Sequence, residues 1–316
     1  MIDTVVIGAG MTGIACARVL TGAGRAVRVL DKGRGIGGRM ATRRVRLDGA
    51  EARFDHGAQY ISAASPEFTA MLAGLPDAAA VWHDGADRPH HVGLPGMSGL
   101  PRAMADGLDV RQGVEVTALS PCPDGWRITT GAEDMRAARV VLTIPAPQIP
   151  ALIGADHPLA EPLDAVTLDP CLTLMAAFPE SSPKPFISRV QPDHTLSWIA
   201  QDSTKPGRAR HVTTWVAQAG RDWSMQNVDA PHDDIAARLL PHLCAEIGTD
   251  PVDALYASAH RWRFAHVATA LHLPFLSNDA GDLYLGGDWC LGPRVEAAWQ
   301  SGTAIARDIL ERRDVG

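Results

Sequence analysis

An α/β fold interrupted by an α+β insertion is the architecture this sequence predicts, and three observations predict it. At the amino end a short apolar strand runs straight into a glycine-spaced turn and an apolar helix. Near the carboxyl end a second apolar strand stops on glycines and an acid, again followed by a helix. Between them lies a Pro-rich and Trp-rich stretch that has strand-like apolar runs but no such turn.

The amino-terminal element reads Thr4 to Ile7 as strand, then Gly8-Ala9-Gly10-Met11-Thr12-Gly13, a helix, and a second strand from Val27 to Leu30 that meets Asp31. In this order Gly8 makes the tight turn. Gly10 leaves bare backbone for a pyrophosphate, flanked by Met11 and Thr12, and Gly13 lets helix and strand pack closely. Free N–H groups and the helix dipole favour phosphate at that end. Asp31 stands where a carboxylate can accept both ribose hydroxyls. A dinucleotide site on a Rossmann-type domain follows. The next run, Lys32 to Arg43, is a second glycine-rich segment: Gly37 and Gly38 can approach the phosphates, and Arg39, ahead of Met40, can neutralise them with a forked guanidinium. This run resembles the segment after the second strand in flavoproteins of the glutathione-reductase and amine-oxidase type, and the resemblance implies FAD.

The carboxyl end supplies a matching half. Asp282 to Leu285 is the strand, Gly286-Gly287-Asp288 the turn, and Ala297 to Leu310 the helix. By resemblance to FAD proteins, Gly287 and Asp288 bind the ribityl chain. The helix beginning near Arg294 and Val295 then points its amino end at the flavin pyrimidine. Gly113 to Val116 reads as a short strand that can lay Val116 against the adenine, and Val140 to Pro145 as a buried strand. Each also fits ordinary core.

The 316 residues, 46% hydrophobic and 21% charged, suffice for one large core or two modest ones. A net charge of -7 argues against non-specific nucleic-acid binding, which needs a basic face. Lysine occurs only at positions 32, 184 and 205. No apolar run approaches the roughly 20 residues of a membrane helix. Asp3 and the lack of a basic leading segment argue against a secretory signal. Five cysteines (16, 122, 171, 244, 290) without a C-x-x-C spacing point to reduced thiols in a cytoplasm.

The expected organisation is a discontinuous FAD-binding domain over 1–60, 105–148 and 275–316, with a substrate domain over 61–104 and 149–274. Within the latter, Leu172 to Phe178, Leu196 to Ala200 and His211 to Ala217 read as strands. Asp233 to Ile247 reads as an amphipathic helix with apolar Ile235, Leu239, Leu240, Leu243 and Ile247.

A closer resemblance rests on Gly37 to Arg43, on Phe54-Asp55-His56-Gly57-Ala58-Gln59-Tyr60, on His260-Arg261-Trp262-Arg263-Phe264-Ala265, and on Gly287-Asp288. These segments resemble the renalase family. That implies non-covalent FAD, His56, Gly57, Ala58 and Gln59 near the flavin, and oxidation of 2- or 6-dihydronicotinamide dinucleotides with electrons passed to O2. The partners expected are thus a small nucleotide substrate and O2, with no nucleic acid and no membrane. Amine-oxidase chemistry is the alternative, or a desaturase of another small molecule, or a flavin-binding protein without turnover. Arg294 would repel a protonated amine and suit an anion. Arg294, Trp289 and His56 are the candidates for a catalytic part, and Trp198, Gln201, Trp262 and Trp289 for a pocket, although each tryptophan also fits a core position. His90, His91 and His56 lack the companion spacing of a metal site.

Overall fold

The computed structural model describes residues 2–47, 49–85 and 89–312. It divides into two compact units: Met1–Gly38 with Pro101–Leu168 and Val267–Gly316, and Arg39–Leu100 with Asp169–His266. These bounds differ from those expected. Residues 39–60 fold with the second unit, because the hairpin Thr42–Leu47 and Ala50–Asp55 packs its apolar face on that unit's sheet. Residues 149–168 stay with the first unit, where Ile149, Leu159, Leu163 and Val166 complete its core. The expected outer limits, 1 and 313–316, lie outside the described residues.

The first unit is built on five parallel strands in the order Leu283–Leu285, Asp134–Leu142, Ile2–Ile7, Val27–Asp31 and Asp109–Gln112. The register puts Leu285, Leu142, Ile7 and Leu30 side by side. Four chain segments therefore leave the sheet on one edge, led by Gly286, Thr143, Gly8 and Asp31. In open α/β sheets, ligands bind outside the carboxyl ends of the strands. An antiparallel hairpin, Val116–Cys122 with Gly125–Thr130, extends from Asp134–Leu142. Residues 113–115 bridge the last parallel strand to this hairpin, so Val116 opens it and is buried in the apolar core.

Two helices pack on this sheet unit, Met11–Gly22 and Val295–Glu311. Their closest approach is at Gly302, where a methyl group would sit 2.0 Å from the Thr12 carbonyl oxygen. Any side chain there would hold the helices apart.

The second unit centres on a five-stranded sheet in the order Ser188–Val190, Leu196–Gln201, Val212–Ala219, Thr167–Pro179 and Tyr256–Thr269. Along Thr167–Pro179 the side chains alternate between two buried faces. Leu172, Leu174, Ala176 and Phe178 meet the helix His232–Ile247 through Ile235, Leu239, Leu243 and Ile247. Met175 and Ala177 meet Ala52 and Phe54 of the hairpin. This double burial is why the strand reads as an unbroken apolar run. The helix ends where Gly248 takes φ 74°, the left-handed turn that favours glycine.

Gly302→Val should destabilise the protein by about 2–4 kcal/mol, since the backbone of Thr12 cannot move aside as a side chain can. Gly22→Ala, with open space around its methyl position, should change stability by less than about 1 kcal/mol. Urea unfolding of the two variants checks this, and equal midpoints would contradict the close helix contact.

Candidate functional site

In the first unit the glycines do what their spacing predicts. Gly8 has φ 113°, and a methyl on it would meet Thr143 Oγ1 at 2.6 Å. A methyl on Gly13 would lie 1.9 Å from the Gly8 carbonyl oxygen. On Gly10 it would meet nothing within 4 Å. Gly10 therefore borders open space at the start of the helix Met11–Gly22, which has no side-chain cap and no acid in its first turn. That is the cradle a pyrophosphate needs. Gly37 folds back over it: its N–H donates to the Ala9 carbonyl at 2.9 Å, and Gly38 approaches Gly10 Cα.

Asp31 is anchored at the strand end, its two oxygens each accepting a backbone N–H at 2.6 Å, from Ala9 and from Gly33. Each oxygen keeps a second lone pair for a hydroxyl. Lys32 is exposed and 3.7 Å from Glu115, a surface pair that adds little. Met11 and Thr12 are buried in the first helical turn.

On the same sheet edge, Gly286 and Gly287 pass under the helix Val295–Glu311. The Gly287 N–H donates to Ser301 Oγ at 3.1 Å, and a methyl on Gly286 would strike Ile305. Asp288 opens a short 3-10 turn and is buried. Arg294 is exposed and holds the N-cap position, ahead of Val295, without a side-chain cap. Two uncapped helix starts and two acids thus flank one sheet edge, and this donor set fits a dinucleotide. Trp289 does not belong to such a site. It is fully buried in the apolar core and donates from Nε1 to the Ile144 carbonyl at 3.1 Å, which corrects its expected catalytic or pocket role. Burial pushes the Cys290 thiol up to about 12, consistent with an inert packing residue.

In the second unit the segment after the hairpin is fixed from every side. Gly57 packs against Arg39: the Ala58 N–H donates to the Arg39 carbonyl at 2.9 Å. The Arg39 guanidinium in turn donates to the Ala265 carbonyl at 3.1 Å, and Met40 is buried beside it in sequence. Trp262 Nε1 donates to the His56 carbonyl at 2.7 Å, and Gln218 to the Gly57 carbonyl at 2.9 Å. Two of the segments that carry the renalase resemblance, 54–60 and 260–265, therefore meet. Gln59 uses its amide N–H groups on the Asp55 and Gly57 carbonyls, which leaves its buried Oε1 without a partner among the described residues. Trp198, 5.6 Å from Tyr60, likewise has a buried Nε1 without one. An unsatisfied buried acceptor or donor of this kind costs about 1–3 kcal/mol. Gln201 is buried and bonds Ser203.

Beneath this segment lies a group that the sequence did not announce. Asp55, Lys205, Asp202 and Arg208 form a closed ring of opposite charges with side chains at most 1% exposed. Lys205 Nζ is 2.5 Å from Asp202 and 3.2 Å from Asp55. Arg208 bonds Asp55, Asp202 and the Pro95 carbonyl. Thr42 and the Met97 N–H complete the shell of Asp55. Burial alone would raise the Asp55 carboxyl, but Lys205 and Arg208 outweigh it and hold it below the usual carboxylate range. Lysine scarcity was the only signal for Lys205. His56 sits above this ring, stacked 5.4 Å from Trp262 and edge-on 4.6 Å from His260. Burial lowers His56 to about 4, and burial with His56 and Arg43 lowers His260 to about 3.

The chain belongs to the flavin-containing amine oxidoreductase family, whose pattern matches residues 75–310. A NAD(P)-binding Rossmann-like domain pattern matches residues 6–75. In fold the chain is similar to a putrescine oxidase solved with putrescine bound, at a TM-score of 0.75 and 14% identity over 98% of this chain and 99% of that one. It is also similar to cyclohexylamine oxidase from Brevibacterium oxydans IH-35A, at a TM-score of 0.77 and 13% identity over 99% of each. The protein is thus a flavin-dependent oxidoreductase of α/β architecture. Among the described residues no helix is long and apolar enough to cross a membrane, and no group of His, Cys, Asp or Glu is arranged to hold a metal.

An unfolded histidine takes a proton near 6.5 but folded His56 only near 4. The unfolded chain therefore binds more protons between those values, and stability falls as the pH drops through that window. His56 should contribute on the order of 2–3 kcal/mol of this loss. His56→Asn should flatten the decline in urea midpoint between pH 6.5 and pH 4, leaving the part that His260 and the ion-paired carboxylates contribute. An unchanged slope would show that His56 is not held neutral.

Proposed function

We propose that the protein is an FAD-dependent oxidase that removes hydride from a carbon bonded to nitrogen. The amine-oxidoreductase match over residues 75–310 carries this reading, and the open cradle at Gly10 beside Asp31 supports FAD as the flavin. Bound FAD supplies the hydride acceptor and passes the electrons to O2. The protein supplies position and charge. Asp31 accepts ribose hydroxyls, and the helix starting at Met11 faces the pyrophosphate, joined by Gly38. Gly287 and Asp288 take the ribityl chain, and Arg294 and Val295 begin the helix that meets the pyrimidine. No thiol is placed for a flavin link by this reading, so the cofactor is non-covalent. Five free cysteines suit a cytoplasmic setting.

Two donors fit a carbon next to nitrogen. A small amine is the first reading, because the family and both similar structures named above are amine oxidoreductases. A 2- or 6-dihydronicotinamide dinucleotide is the second, and a specific feature favours it. The acids nearest His56, Asp55 and Asp202, are both consumed by Lys205 and Arg208, while Arg43 and Arg261 bear on the His56–His260 pair. Such surroundings repel an ammonium ion and accept a neutral ring or a phosphate.

The purified protein should be yellow and should release FAD on denaturation, and Asp31→Ala should weaken FAD retention about five- to thirty-fold, equivalent to about 1–2 kcal/mol. Anaerobic bleaching against primary amines, 2- and 6-dihydro NAD(P), and ordinary NADH then separates the donors. Bleaching by an amine alone selects the first reading, and by the dihydro isomers alone the second. FAD that no donor bleaches would leave a binding protein without turnover.

A further inference from the structure

The hairpin Thr42–Leu47 with Ala50–Asp55 gives only one of its faces to the core. Val45, Leu47, Ala52 and Phe54 pack on the sheet of the second unit. The opposite face is a row of three cross-strand pairs: Thr42 with Asp55, Arg44 with Arg53, and Arg46 with Glu51. Its root is fixed, because Thr42 Oγ1 donates to Asp55 at 2.7 Å and Asp55 belongs to the buried charge ring. Its outer part is not spent on packing. Arg44, Arg46 and Glu51 are exposed, and Arg53 is half-buried.

Residues directly opposed across two strands have Cβ atoms about 5 Å apart, and residues two apart along one strand lie about 7 Å apart. Three guanidinium stems therefore rise from one small triangle. Like charges set directly opposite each other are destabilising, yet Arg44 faces Arg53. Glu51, on the same face, lies 2.5 Å from Arg53. Arg46 reaches the Gly49 carbonyl at 3.3 Å, and Arg44 has no hydrogen-bond or ion-pair partner among the described residues. Asp48 lies outside the described residues. The whole chain carries a net charge of -7, so this cluster is not a sample of a generally basic surface. Arg44, Val45, Arg46, Gly49 and Glu51 line a hollow of about 530 Å³, a volume in the range that holds small ligands. Gly49 takes φ 80°, and a methyl on it would meet nothing within 4 Å, so bare backbone borders the hollow.

We propose that this hollow binds the phosphate groups of a small phosphorylated molecule, through residues other than those of the dinucleotide cradle. A guanidinium presents paired N–H donors in a fork that matches two oxygens of one phosphate. Arg44 and Arg46 offer two such forks from one strand, which suits a diphosphate. The bound anion also removes the repulsion between Arg44 and Arg53. Glu51 holds Arg53 back, so Arg44 and Arg46 make the primary contacts. Thr42–Leu47 pairs with one strand only, and arginines on such an edge also discourage pairing with other chains. That role needs neither a hollow nor two like charges set opposite each other.

The test titrates inorganic pyrophosphate into the protein by calorimetry at about 0.15 M ionic strength, where loose surface attraction is screened. Excess FAD is present to compete for the cradle at Gly10. One saturable site that depends on the hairpin is expected. Arg44→Gln and Arg46→Gln should each weaken it about tenfold or more, the loss of one charge-assisted contact. Glu51→Gln should tighten it, and Arg127→Gln, on the hairpin of the first unit, should change it by less than about twofold. Arg44→Lys, which keeps the charge and loses the fork, serves as a second variant and should retain part of the binding. ADP in place of pyrophosphate separates nucleotides from free phosphate as the source of the ligand, and adenosine should show no binding that depends on Arg44. Absence of saturable binding, binding that both glutamine variants leave within about twofold of wild type, or Arg44-dependent binding of adenosine would each overturn the proposal. Poly-glutamate held by the same arginines, with no response to pyrophosphate, would overturn it in favour of an acidic protein segment.

Discussion

The buried ring of Asp55, Lys205, Asp202 and Arg208 is the constraint on which the second unit depends. Four full charges without solvent cost several kcal/mol each in lost hydration, and their mutual attraction offsets this only while all four stay in place. Loss of one member leaves a charge with no counterpart. The ring therefore specifies one arrangement more than it adds net stability. It joins the end of the hairpin, the turn after Leu196–Gln201, and the loop carrying Pro95 and Met97. His56 to Gln59 starts one residue beyond it. The position of that segment is set by electrostatics from below and by Trp262, Gln218 and Arg39 from the sides.

Above the ring the chemistry changes character. His56 and His260 are held below the usual histidine range, and the buried groups without a partner among the described residues include an amide oxygen on Gln59 and an indole N–H on Trp198. A site with this profile selects by hydrogen-bond pattern and shape more than by charge. That distinguishes donors sharply, because an analogue missing one hydrogen-bonding group leaves a buried partner unpaired. It also explains why a fold shared with amine oxidases does not by itself decide the donor.

Much of this was legible in the sequence, and the reason differs by element. The turn Gly8 to Gly13 was readable because backbone geometry dictates it: only glycine fits at Gly8 and Gly13, and Asp31 follows at the level strand end. The helix over 233–247 showed its period because one face is buried, and the strands near 172, 196 and 212 stood out by apolar content because one or both of their faces are buried. The hairpin Thr42–Leu47 with Ala50–Asp55 was hidden by four arginines on its strands, which mask the alternation of Val45, Leu47, Ala52 and Phe54. The strand Tyr256–Thr269 lies at a sheet edge and mixes Arg, His and Trp, so no period of two emerges. The charge ring could not be read at all, since Asp55 is separated from its partners by about 150 positions. Trp289 misled because an indole near a Gly-Gly-Asp turn looks like a pocket wall, yet its N–H is satisfied by a core carbonyl.

The contact between Gly302 and the Thr12 carbonyl has a further consequence. Thr12 lies in the first turn of one helix, and Gly302 is in the middle of the other. Backbone touches backbone, so neither helix can slide or roll without carrying the other along. The two uncapped amino ends, one by Gly10 and one by Arg294, then behave like the jaws of a locked caliper. A cofactor seated against both jaws must match their opening, and length becomes a criterion of recognition that no single side chain encodes.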